Sequence, residues 1–163
     1  MQWAMGPIKD SISNPGFDYI NNMTSVIVKL HEGELSPSLK KWKMETAVGG
    51  GPVLLQYGEI KISNNEELKF TGKAIYDKHP RTAMGYTKDG KLIILVIEGR
   101  NKNAGGATLT QEAQIFKNPG CWEALNLDGG GSSCMLVNGK ETINVSDATG
   151  QRLVPAVFII SKK

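Results

Sequence analysis

The chain is poor in the residues that build metal centres and disulfide frameworks. It has two cysteines and two histidines in 163 residues. Cys121 and Cys134 cannot define a framework. They read as small buried apolar residues or as a single bridge, and their spacing does not decide between the two. His31 and His79 stand alone, each reading as a surface or satisfied imidazole, and no metal-ligand spacing exists. No run reaches the roughly 18–20 apolar residues of a bilayer crossing. The net charge is only +3, which does not argue for nucleic acid. The short cluster Lys40-Lys41-Trp42-Lys43 reads as a solvated face. There is no internal repeat, low-complexity tract or linker. The first thirteen residues lack a charged region followed by an apolar one, so no signal peptide is expected.

What is present fits one globular domain, residues 1–163, with an apolar share of 40% that can fill a core. Asn14-Pro15-Gly16 signals a turn, Thr24 to Leu30 a strand, and Ser36 to Met44 a short helix or loop. Asn22-Met23-Thr24 and Asn144-Val145-Ser146 match glycan-acceptor triplets, which arise often by chance. Val53 to Gln56, Tyr57-Gly58 and Glu59 to Ile62 read as a hairpin. Residues 63–79 are polar, a loop or short helix. Arg81 to Thr87, Asp89-Gly90 and Lys91 to Ile97 form a second hairpin. Leu92 to Ile97 has no polar alternation, so a central strand covered on both faces is expected. Thr108 and Gln111 have capping-box spacing. They open a helix over 108–118 with Leu109, Ala113 and Phe116 at helical intervals. Trp122 to Leu127 is a strand. Met135 to Val145 is a hairpin turning at Asn138-Gly139, and Arg152 to Ile160 a last strand, with Pro155 marking an edge or bulge. The expected fold class is mixed α/β, α+β-like: a mixed sheet with hairpins, one βαβ unit and helices packed on it.

Chemistry points to the stretch Asp128-Gly129-Gly130-Gly131-Ser132-Ser133. Three consecutive glycines lose much backbone entropy on folding. They are expected where φ is positive or where something approaches the backbone closely. Free N–H groups in such a turn can receive an anion. The plain alternative is a tight connection capped by Asp128. Strand 92–97, helix 108–118 and strand 122–127 make a βαβ unit, so the two strands run parallel if they share a sheet. Glu98 and Asp128 then follow the carboxyl ends of their strands on one edge, where open α/β sheets bind ligands. Adjacent strands would set the backbones about 5 Å apart, and one intervening strand about 10 Å. Those values bracket the carboxyl spacings of retaining and inverting glycoside hydrolysis. The alternative is that Glu98 pairs with Arg100 or Arg81. Arginine also suits a phosphate, which its planar fork binds through two bonds. Ser132 and Ser133 have no histidine partner at motif level, so a Ser-His-Asp triad is not expected.

Several motifs occur in order: Ala47-Val48-Gly49-Gly50-Gly51-Pro52, Arg81-Thr82-Ala83-Met84-Gly85, Glu98-Gly99-Arg100, Gly106-Ala107-Thr108-Leu109 with Glu112-Ala113, Ala124 to Ser133, and Gln151-Arg152. Together, over about residues 42–160, they resemble the phosphodiester glycosidase family, especially its secreted or periplasmic Bacteroides-type bacterial members. The resemblance implies a mixed α/β hydrolase that releases a sugar from a sugar-1-phosphodiester, with a carbohydrate phosphodiester substrate and an extracytoplasmic location. It implies no cofactor. Carried over by motif, Glu98, Asp128 and Arg81 are the catalytic candidates. Thr82, Arg100, Thr108, Asn126, Gly129, Gly130 and Ser132 are the substrate-binding candidates. Family members carry an upstream half with an Asn-Gly-Gly-Phe-Phe-like motif that has no counterpart here. The chain is therefore expected to be the C-terminal portion of a longer domain.

Overall fold

The structure, a computed structural model, describes residues 5–6, 24–25, 50–67, 73, 76–154 and 156–161. The turn expected at 14–16, the segments 26–30 and 36–44, the Asn22 triplet, His31, the lysine cluster at 40–43 and Pro155 lie outside the described residues. Within the expected strand at 24–30, β2 (Thr24–Ser25) pairs antiparallel with β1 (Met5–Gly6).

The main sheet begins with the expected hairpin, β3 (Val53–Gln56) and β4 (Glu59–Ile60). The short helix α1 (Asn64–Glu67) follows, then β5 (Arg81–Thr87), β6 (Leu92–Ile97), α2 (Leu109–Lys117) and β7 (Cys121–Asn126). A 3₁₀ turn at Gly130–Ser132 leads to β8 (Leu136–Val137) and β9 (Lys140–Glu141), a separate small hairpin. Its turn residues Asn138 and Gly139 have φ of 53° and 75°, the left-handed pair that Asn-Gly favours. The five-stranded order is β4-β3-β7-β5-β6, and every hydrogen-bonded pair in it is antiparallel. The protein is thus a mixed α+β fold with a helix packed on a sheet.

Helix α2 forms because Thr108 and Gln111 close a capping box: the Thr108 hydroxyl accepts from the Gln111 N–H at 3.1 Å, and Gln111 Oε1 accepts from the Thr108 N–H at 3.0 Å. Its buried face, Leu109, Glu112, Ala113 and Phe116, is one stripe at helical spacing. It packs on Leu54, Leu55, Ala83, Cys121 and Ala124. Burying Phe116 completely stabilises the fold by about 1.5–3 kcal/mol. Gly85 makes that possible, since a Cβ there would lie 2.7 Å from the Phe116 ring. Both cysteines are free thiols. Cys121 belongs to the core, and burial pushes its thiol up to about 11.

Two expectations need correction. Leu92–Ile97 is the last strand of the sheet among the described residues, not a central one, and all six residues are half-buried. Its apolar run divides its contacts: Ile93 and Leu95 pack on the α2 side, and Leu92 packs with Tyr86 and Trp122. The expected strand over Arg152 to Ile160 is also absent from the described residues there. Leu153, Ile159 and Ile160 are 96%, 76% and 77% exposed. β-Propensity alone does not make a strand without cross-strand neighbours.

Candidate active site

Strands β6 and β7 are parallel, as the βαβ unit requires, and β5 lies between them. Both are antiparallel to β5, with Arg81 opposite Ile97 and Ala83 opposite Asn126. The first residues of β5 therefore meet the last residues of β6 and β7 at one rim. Glu98 and Asp128 follow those two strands, with one strand between them and about 10 Å between backbones.

The glycine turn crosses this rim. The Gly130 N–H donates to the Pro80 carbonyl at 2.9 Å, and the Leu127 N–H to the Thr82 carbonyl at 2.7 Å. Gly130 adopts φ of 62°, and a Cβ there would stand 3.2 Å from Arg100 Nη1. Close approach and positive φ thus coincide, as three glycines foretell. The loops after Glu98 and after Asp128 meet through Gly130 and Arg100. The first glycine triplet reinforces the same strand end. Gly51 N–H donates to the Asn126 carbonyl at 2.7 Å, and Asn126 Nδ2 donates to the Gly51 carbonyl at 2.7 Å.

Glu98 is held by asparagines rather than by arginine. Its carboxylate accepts from Asn101 Nδ2 at 2.7 Å, Asn144 Nδ2 at 2.9 Å and the Asn144 N–H at 3.0 Å. The Asn144 side chain, then its backbone N–H, then Asn101 hold the carboxyl below its usual range, because each bond stabilises the anion. Asp128 is exposed.

The two arginines differ. Arg81 is 4% exposed, and it donates from Nε to the Ala107 carbonyl at 3.0 Å and from Nη2 to the Asp77 carbonyl at 3.3 Å. Arg100 is exposed, with φ of 60°, and its Nη2 lies 3.2 Å from His79 Nδ1. Burial and the positive charges of Arg81 and Arg100 depress His79, with Asp77 opposing. The imidazole is thus neutral near pH 7.

Of the remaining candidates, Asn126 is buried and ties the glycine triplet to β7. Thr82 Oγ1 donates to Ser133 Oγ at 3.2 Å. Thr108 directs its hydroxyl into the α2 cap. The Ser132 N–H closes the turn by donating to the Gly129 carbonyl at 3.2 Å.

Reading the sequence missed three residues at the rim. His79 precedes Arg81 by two positions, and only its place in the fold marks it. Asn144 had only its acceptor triplet as a signal. Glu112 did have a signal, a carboxylate on the apolar stripe of α2. It is 0% exposed, and neither of its oxygens meets a donor among the described residues. Burial pushes its carboxyl up to about 8, against the opposing charge of Arg81. Among the described residues no cluster of His, Cys, Asp or Glu could hold a metal ion, and no helix is long and apolar enough to cross a membrane.

The chain is also similar to known proteins. Mouse N-acetylglucosamine-1-phosphodiester alpha-N-acetylglucosaminidase is 31% identical over 102 residues, 58% of this chain and 20% of that enzyme. The SPbeta prophage-derived uncharacterized protein YomE of Bacillus subtilis is 40% identical over 82 residues, 50% of this chain and 13% of that protein. Among solved structures, the catalytic domain of the zebrafish N-acetylglucosamine-1-phosphodiester alpha-N-acetylglucosaminidase, auto-inhibited by its pro-peptide, superposes with a TM-score of 0.61 and 26% identity. That superposition covers 89% of this chain and 45% of the zebrafish chain. The chain thus spans at most a fifth of these curated relatives. The family profile itself matches residues 12–161, reaching further toward the N-terminus than the motifs do. On that match the chain belongs to the phosphodiester glycosidase family.

Proposed function

We propose that this chain carries the catalytic rim of a hydrolase that cleaves a sugar-1-phosphodiester of an extracytoplasmic glycan or glycoconjugate. It does so as the C-terminal portion of a single domain. One observation supports the reading above the rest. Two strand-end carboxylates flank the start of β5 on one rim, and the glycine turn brings an exposed guanidinium to the same place.

Glu98, held as an anion, is the general base that takes a proton from the water attacking the anomeric carbon. Asp128 is its acid/base partner. As the bond from C1 to the phosphate oxygen breaks, the departing phosphate carries negative charge. Arg100 stabilises that charge, beside the glycine turn whose backbone lets the phosphate come close. Arg81, buried and bonded to two backbone carbonyls, anchors the rim and adds positive charge beneath it. Thr82, Asn126 and Thr108 shape the surface, and Gly129, Gly130 and Ser132 form the turn that the phosphate approaches.

A comparison of two arginine variants tests this division. Arg100→Ala should weaken sugar-1-phosphate binding about 10- to 100-fold, the loss of charge-assisted bonds, with little change in melting temperature. Arg81→Ala should lower the melting temperature markedly, because it removes a buried side chain and its bonds to the Ala107 and Asp77 carbonyls. The reverse pattern would assign phosphate binding to Arg81 instead of Arg100. The intervening strand also favours the wider, inverting arrangement. The first sugar released, followed by proton NMR, should therefore have the opposite anomeric configuration to the substrate. Retention would reject the pairing of Glu98 with Asp128.

A second reading is a module that binds phosphorylated sugars without turnover. What favours it is the exposure of Asp128 and Arg100 on the rim. A sugar phosphate that raises the melting temperature while no free sugar appears would select it.

A further inference from the structure

After β9 the chain doubles back across the rim. The Asn144 side chain and backbone reach Glu98, 46 residues away in sequence. Three residues on, the Asp147 carboxylate lies against Gly131, where any Cβ would run into it. Arg152 Nη2 donates to Asp147 Oδ2 at 3.0 Å, and Gln151 Nε2 to the Gly131 carbonyl at 3.4 Å. Residues 144–152 therefore form a strap with one end on Glu98 and the other on the glycine turn.

We propose that Asn144 is a positioning residue, which fixes the orientation and the ionised state of Glu98 through a two-point clasp. The proposal rests on the function read above for Glu98 but concerns a residue outside the motifs. A carboxylate that accepts three N–H donors is favoured as the anion and has little freedom to rotate. Asn101 supplies the third donor from the loop following Glu98 itself. That loop is braced by its own bonds, with Asn101 Oδ1 accepting from the Asn103 and Ala104 N–H groups at 2.9 and 2.8 Å. The charged groups on the surrounding elements are Arg81 at the start of β5, Arg100 and Lys102 on the same loop, Asp128 after β7, and Asp147 and Arg152 on the strap, with the titratable His79 beside Arg100. The groups bonded directly to the carboxylate are the asparagine donors. The clasp also gives the Asn144-Val145-Ser146 triplet a different meaning. The amide nitrogen that a glycan would occupy is the one that donates to Glu98.

The test is the ionisation midpoint of Glu98, followed by carbon-13 NMR of its side-chain carboxyl in the full chain. Asn144→Ala keeps the backbone bond and loses the side-chain bond, so the midpoint should rise. Asn144→Asp replaces a donor with a like charge and should raise it further. If Asn144→Ala folds poorly by circular dichroism, Asn144→Ser, with a shorter donor, should give a smaller rise. With turnover measurable, Asn144→Ala should lower kcat about tenfold with KM nearly unchanged, and shift the acid limb of the pH profile by the same amount as the NMR midpoint. Coincident midpoints in the parent chain and the folded variants would overturn the proposal. If no sugar phosphodiester is hydrolysed, the function read for Glu98 falls, while the NMR midpoints still decide whether the clasp exists.

Discussion

Asp128→Asn lowers kcat on a sugar-1-phosphodiester by about 10²–10⁴-fold, the usual loss on removing a positioned acid or base. Its melting temperature stays close to the parent value, because the side chain is exposed and substitutions at exposed sites shift stability little. Glu98→Gln gives a loss of similar size for a different reason. The new amide presents N–H donors to the donors of Asn101 and Asn144 and cannot act as a base. The double variant should be barely worse than either single one, as groups acting in one step are not additive. Release of free sugar, measured by a coupled assay on all three variants, decides the matter. Undiminished turnover in Asp128→Asn would remove this carboxyl from the reaction.

The second large effect concerns stability. Glu112 is protonated in the native state up to about pH 8, whereas its ordinary value is 4.5. Between those values the unfolded chain releases the proton and the native chain keeps it. Native stability from this group is therefore fully present below about pH 4.5, falls as pH rises, and is lost above about pH 8. At about 1.4 kcal/mol per pH unit, the loss is on the order of a few kcal/mol. Glu112→Gln is a neutral isostere and escapes it. Thermal melts from pH 5 to pH 9 should show the variant close to the parent at the acid end and progressively more stable toward the alkaline end. Curves that stay parallel would mean that Glu112 does not titrate in this window. The carboxyl occupies a stripe position that an apolar residue would fill at lower cost.

Features written in short-range chemistry were legible beforehand. The Thr108–Gln111 box, the Asn138-Gly139 turn and the β5–β6 hairpin need only neighbouring residues, and all are present. The common rim of Glu98 and Asp128 was also legible, because a βαβ unit leaves its strands parallel whatever lies between them. The insertion of β5 was not, because strand order depends on long-range pairing. The same limit hid the Asn144 clasp, which joins residues from two separate hairpins. It also misplaced Leu92–Ile97, since an apolar run on both faces reads alike whether it ends a sheet or crosses its middle. The partners of Arg81 were hidden for the same reason, since the carbonyls of Asp77 and Ala107 lie outside its own strand. The run at 152–160 shows that β-branched residues do not name their own partner.

The strap has a consequence for the order in which the protein comes into being. Strands β3 to β7 are all made before residue 127, but the bonds that steady Glu98 and brace Gly131 come from residues 144 to 152. The sheet can therefore assemble before the strap is in place, and the Glu98 carboxylate gains two of its three donors only when residues 144–152 close over it.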